Sequence, residues 1–178
     1  MKRQFLGDSY DIVKRLWADL LRHTAPLYAA PLFYQDDDKS KEVDLQREFT
    51  RLTGIQMKVG RPSGVFSILL DPDTGISLID KPLPRYVTTE YIAEQLREPG
   101  ARYVVTYDQS FPRCSDSARR ERMQQKMKSL AKAECLSLYY ASHASFLFTA
   151  RYRQDLQELK AILTEAGVPA WRIEELGW

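Results

Sequence analysis

Four aspartates stand where apolar runs of the chain end. Asp8 follows Phe5 and Leu6, Asp71 and Asp73 follow the run at residues 65–70, and Asp108 follows residues 103–107. Ser142 and His143 come just after a fifth apolar stretch, at residues 136–140. Converging carboxylates repel one another unless a cation sits among them, and oxygen ligands completed by water suit Mg²⁺ or Mn²⁺. Such an ion activates water and shields a phosphoryl oxygen. The pattern therefore predicts Asp8, Asp71, Asp73 and Asp108 as metal ligands. His143 is the expected acid/base, Ser9 a candidate catalytic hydroxyl, and Arg113 and Arg119 the phosphate holders. The corresponding activity is a divalent-metal-dependent phosphoester hydrolase, with a nuclease as one form of it. The bland reading is also physical: Asp, Ser and Gly are the ordinary residues of turns and helix caps. On that reading the same edge belongs to a non-catalytic module that binds a nucleotide or a protein partner.

Alternating strands and helices must position these residues. A short strand is expected at residues 3–6. Gly7-Asp8-Ser9 then offers N-cap chemistry to a helix with Ile12, Val13, Leu16, Trp17, Leu20 and Leu21 on its apolar face. Residues 26–34 read as extended, and Pro26 and Pro31 argue for an edge or irregular strand. A helix from about Ser40 carries Leu45, Phe49 and Leu52 and stops at Gly54. Residues 65–70 form the clearest buried strand, and the segment with Pro82 and Pro84 reads as loop. Thr88 or Thr89 caps a helix carrying Ile92, Ala93 and Leu96. A strand at 103–107 and a helix from about Ser115 follow, then strands at 136–140 and 146–150. A final helix with Leu156, Leu159, Ile162 and Leu163 ends at Gly167.

This succession predicts one α/β domain over residues 1–178. It would be a three-layer, Rossmann-like sandwich with a mostly parallel sheet and a C-terminal antiparallel hairpin. In such sheets ligands bind beyond the carboxyl ends of the strands, where the aspartates fall.

Composition narrows the classes further. At 178 residues, with 44% apolar and 11% aromatic residues, the chain can bury a core and is no disordered tail. It has no apolar run long enough for a membrane span, and too short a run before Gly7 for a signal peptide. Cys114 and Cys135 form no CxxC pair, so a reducing cytoplasm is the expected setting. The net charge of +2 is unevenly spread: residues 113–132 alone carry seven basic against two acidic side chains. Arg119, Arg122 and Lys126 share one helical face there, suited to a phosphorylated small molecule or nucleic acid. Tyr139 and Tyr140 are candidates for stacking on bases.

Several local motifs resemble known families. Gly7-Asp8-Ser9 is similar to the first block of the SGNH (GDSL-type) esterases, in which the serine is the nucleophile. Their late Asp-x-x-His is absent, since Tyr140 stands three residues before His143. Asp71-Pro72-Asp73-Thr74 resembles motif I of the haloacid-dehalogenase phosphatases, with the threonine one position early. The same residues are similar to the Asp/Asn-Pro-Pro-Tyr strand end of adenine methyltransferases, and the hairpin at 136–150 would suit that fold. No glycine-rich loop follows the first strand, so a degenerate S-adenosylmethionine methyltransferase-like domain is the form this would take. Three motifs in order, Gly7-Asp-Ser-Tyr-Asp11, Asp71-Pro-Asp-Thr-Gly75 and Tyr107-Asp-Gln-Ser110, resemble a set of uncharacterised bacterial α/β proteins. That resemblance implies the α/β fold and the strand-end location of a site, and supplies no activity.

Overall fold

A helix needs its first free N–H groups satisfied before it can start. Asp8 supplies this for α1 (Ser9–Leu21), its side chain accepting from the amides of Tyr10 and Asp11. In this computed structural model, which describes residues 6–30, 32, 39–79, 83, 85–111 and 115–176, Leu6 lies in a turn leading into that helix. The strand expected at 3–6 otherwise falls outside the described residues. The buried face of α1 is Asp11, Lys14, Trp17 and Leu21. Ile12 and Leu16, expected to face inward, are exposed. The helix is rotated because Lys14 is drawn inward to two carboxylates, described below.

The chain continues through β1 (Leu27–Ala29), α2 (Lys39–Thr53), β2 (Gln56–Met57), β3 (Phe66–Leu70), β4 (Gly75–Ser77) and β5 (Tyr86–Thr88). It closes with α3 (Thr89–Leu96), β6 (Ala101–Tyr107), α4 (Asp116–Lys132), β7 (Leu136–Tyr140), β8 (Phe146–Ala150), α5 (Arg153–Glu165) and β9 (Ile173–Glu175). Thr88 and Ser115 cap α3 and α4 through their hydroxyls.

Seven strands form one sheet in the order β2-β1-β3-β6-β8-β7-β9. The β2, β1, β3 and β6 pairings are parallel; β8 is antiparallel to both β6 and β7, and β9 is antiparallel to β7. The sheet is thus mixed but mostly parallel in direction. The expected hairpin is present, with β8 inserted between β6 and β7. One expectation changes. Within the segment expected at 26–34, of which residues 31, 33 and 34 lie outside the described residues, β1 is an internal strand, because Pro26 precedes its three paired residues. Pro82 and Pro84, expected in a loop, lie outside the described residues, and β5 after them pairs in parallel with β4 as a separate ribbon.

Side chains of a strand alternate between faces, and that alternation splits the core in two. Leu69, Tyr103, Val105, Phe146 and Phe148 pack with Trp17, Phe49, Leu159 and Leu163 from α1, α2 and α5. Ile68, Leu70, Val104 and Leu147 pack with Ile92, Leu96, Met123 and Met127 from α3 and α4. Helices therefore cover both faces of the sheet. Among the described residues, no helix is long and apolar enough to cross a membrane.

Candidate functional site

The ends of β3 and β6, the start of β8 and the first turn of α1 meet at one edge. Because alternate residues of β6 face opposite ways, Tyr107 and Asp108 look onto different sides of the sheet. The aspartates are sorted accordingly into two neighbouring hollows.

On the α1 side, Asp8, Asp71 and Asp73 line a cavity of about 100 Å³ together with Tyr10, Lys14 and Tyr107. Lys14 is buried, with its ammonium 3.0 Å from Asp11 Oδ1 and 2.8 Å from Asp71 Oδ2. Burial alone would lower its pKa, but the Asp71 and Asp11 carboxylates outweigh that and hold it above the ordinary lysine value. The same ammonium lies 5.4 Å from the centre of the Tyr107 ring. The Tyr107 hydroxyl is buried beside the Tyr10 hydroxyl. Burial pushes its pKa up, and neighbouring Tyr10, Asp71 and Asp8 add to that. The Tyr10 and Tyr107 rings lie 5.3 Å apart, and the Tyr10 hydroxyl also lies 2.9 Å from His143 Nε2. His143 is exposed, and so reaches the cavity wall only through Tyr10.

On the α4 side, Asp108 is fully buried and saturated. Its Oδ2 accepts from Lys126 Nζ at 2.6 Å and from the Tyr139 hydroxyl at 2.7 Å. Its Oδ1 accepts from the amides of Ile76 and Ser110, and Ser110 Oγ lies 2.7 Å away. Burial lowers the Lys126 pKa, the Asp108 charge only partly offsetting it, and Arg122 lowers it further. Tyr139 is pushed well up by burial and then by the Asp108 charge. Gly75 makes this packing possible. Its φ is +130°, and a Cβ there would sit 2.3 Å from Asp108 Oδ1.

Beside this network runs a larger cleft of about 680 Å³, walled by Ser77 and Tyr86 on one side and Phe111, Arg122 and Gln125 on the other. Gln109 lines both hollows.

The four aspartates are therefore not brought together. Asp8, Asp71 and Asp73 share a cavity, while Asp108 is committed to Lys126 and Tyr139. Among the described residues, no three His, Cys, Asp or Glu side chains group so as to hold a metal ion. Ser9 is exposed at the first residue of α1, and Arg113 lies outside the described residues. Arg119 is spent on structure: its guanidinium donates to the Ser142 carbonyl and to Ser145 Oγ at 2.6 Å. The basic face is also divided, because Lys126 is buried and Arg120 pairs with Glu174 at 2.7 Å. Arg122 stays exposed and makes no ion pair among the described residues. Tyr139 is core, and Tyr140 packs edge-on against Trp17. Tyr10, Lys14 and Tyr107 stand in the site without being among the residues expected there. A lysine on the i, i+3 stripe from Asp11 was the available signal for Lys14; nothing local marks Tyr107.

No protein-family model, curated protein or solved structure matches the chain.

Proposed function

We propose that this protein is a Rossmann-like binding module for a phosphorylated small molecule, a nucleotide by class, held in the cleft between α4 and the β4–β5 ribbon. The observation that carries the reading is the exposed Arg122 in the wall of a hollow of about 680 Å³ that Phe111 and Tyr86 also line. That volume lies within the range of roughly 300–1,000 Å³ usual for ligand pockets. A guanidinium presents a planar fork of donors to phosphate oxygens, and an aromatic face suits a base. The position beyond the ends of β3 and β6 is where open α/β sheets hold ligands. The charged groups beneath the cleft, Asp108 and Lys126, neutralise each other, which favours binding over catalysis.

Thermal denaturation with nucleoside mono- and diphosphates, and with inorganic phosphate alone, tests this. A ligand that binds only the native state stabilises it by about 2.7 kcal/mol at a hundredfold excess over Kd. A rise in melting temperature that Arg122→Glu abolishes is expected. No rise with any nucleotide, or an equal rise in Arg122→Glu, rejects the reading.

A second reading, a divalent-metal-dependent phosphoester hydrolase or nuclease, is favoured by Asp8, Asp71 and Asp73 lining one cavity. It requires Mg²⁺ or Mn²⁺ to raise the melting temperature, and metal-dependent phosphodiester cleavage that Asp8→Asn and Asp73→Asn remove.

A further inference from the structure

We propose that the cleft between α4 and the β4–β5 ribbon selects a single phosphate, so that its ligand is a nucleoside monophosphate, with Arg122 as the phosphate anchor and Glu121 as the residue that turns away longer phosphate chains. The inference rests on the nucleotide reading and adds to it which nucleotide the cleft accepts.

The cations of the cleft wall come first. Among the described residues, the charged side chains that line it are Glu121, Arg122 and Lys126. Lys126 is 4% exposed, and its ammonium lies 2.6 Å from both Asp108 Oδ2 and Ser110 Oγ. Its charge is therefore matched by a carboxylate, and two of its three N–H groups are committed to protein oxygens. Arg122 is exposed and makes no ion pair among the described residues. One guanidinium is left to face an anion, and its planar fork grips two oxygens of one phosphate.

The second observation is the neighbour of that guanidinium. Glu121 is exposed in the same wall, and its Oε1 accepts from the neutral Gln125 amide at 3.4 Å. Among the described residues it makes no ion pair, so its charge stays uncompensated beside Arg122. A first phosphate meets the guanidinium. Each further phosphate adds negative charge that meets no second free cation, close to the Glu121 carboxylate. Charges on adjacent residues act over less than the screening distance of about 8 Å at physiological ionic strength.

The backbone offers a longer phosphate chain nothing more. Polyphosphate sites commonly use a glycine-rich loop and the free amides of a helix N-terminus. Here the wall is formed by Ala118, Glu121, Arg122, Gln125 and Lys126. These lie within the body of α4, and the Ala118 amide is already capped by Ser115 Oγ. Phosphate recognition therefore falls to side chains, while Ser77, Gln109 and Gln125 supply hydroxyl and amide groups for a nucleoside.

The test is isothermal titration calorimetry of the full chain with the mono-, di- and triphosphates of the four ribonucleosides, in EDTA so that no metal neutralises the phosphate chain. At least one monophosphate should bind about tenfold more tightly than its own triphosphate. Glu121→Gln keeps the side chain's shape, removes its charge and should close most of that gap. Added NaCl should narrow the gap in the unaltered protein, since salt screens repulsion and leaves a steric clash untouched. A di- or triphosphate that binds as tightly as its monophosphate overturns the proposal and leaves the nucleotide reading standing. A gap that neither Glu121→Gln nor salt changes also overturns it, and makes the limit one of size. Binding by no nucleotide removes the nucleotide reading itself, and the proposal with it.

Discussion

The Lys126 ammonium lies 2.6 Å from the Asp108 carboxylate, with both side chains buried. The pair fastens α4 to the end of β6, and Tyr139 brings β7 to the same oxygen. An aspartate in a position suited to chemistry is used here to join three elements.

Lys126→Met is expected to cost about 3–5 kcal/mol, because it leaves a buried carboxylate without its cation. Urea denaturation measures this. The double variant Asp108→Asn/Lys126→Met should be more stable than Lys126→Met alone, since the uncompensated charge is gone.

Gly75→Ala places a methyl group against Asp108 Oδ1 and against the Gln109 amide, 2.8 Å away, at a φ that side chains rarely adopt. A loss on the order of 2–3 kcal/mol is expected from strain and forced movement. Nucleotide affinity should fall with it, since Gln109 and Ser110 line the cleft.

Trp17 is 1% exposed and packs edge-on against Tyr140, Phe146 and Phe148. Trp17→Ala should cost about 3–5 kcal/mol. Trp17→Phe should cost much less, because the indole N–H has no hydrogen-bond partner to lose. Thermal melts of the two variants give the comparison.

Tyr103 supplies a pH prediction. Burial raises its pKa from 10.0 to about 12, with Arg102 opposing and Glu158 and Asp155 adding. A pKa raised on folding gives stability that is complete below the unfolded value and is lost as pH rises through the folded one. Stability should therefore decline between about pH 10 and 12, and Tyr103→Phe should flatten that part of the curve.

Much of the fold was legible because apolar periodicity reports burial directly. Residues 65–70, 103–107, 136–140 and 146–150 announce strands by composition, and Asp8, Thr88 and Ser115 announce helix starts by capping chemistry. The short strands β2, β4, β5 and β9 were not legible. Two or three residues carry no periodic signal, and their pairing is decided by whatever strand happens to lie alongside. The facing of α1 escapes its local sequence for a related reason: Ile12 and Leu16 look like core, yet Lys14 wins the inward position through Asp71, 57 residues away.

The sequence by itself determined that aspartates would stand at the ends of strands, since turn and cap chemistry is local. Which of them share a space was decided only by tertiary structure. Tyr107 and Asp108 are adjacent in the chain, but the two-residue repeat of β6 sends them to opposite faces. Asp8, Asp71 and Asp73 thus meet Tyr107 around a small acidic cavity, and Asp108 meets Lys126 beneath a wide cleft. Contacts between distant segments assign those partners, and no spacing within one segment encodes them.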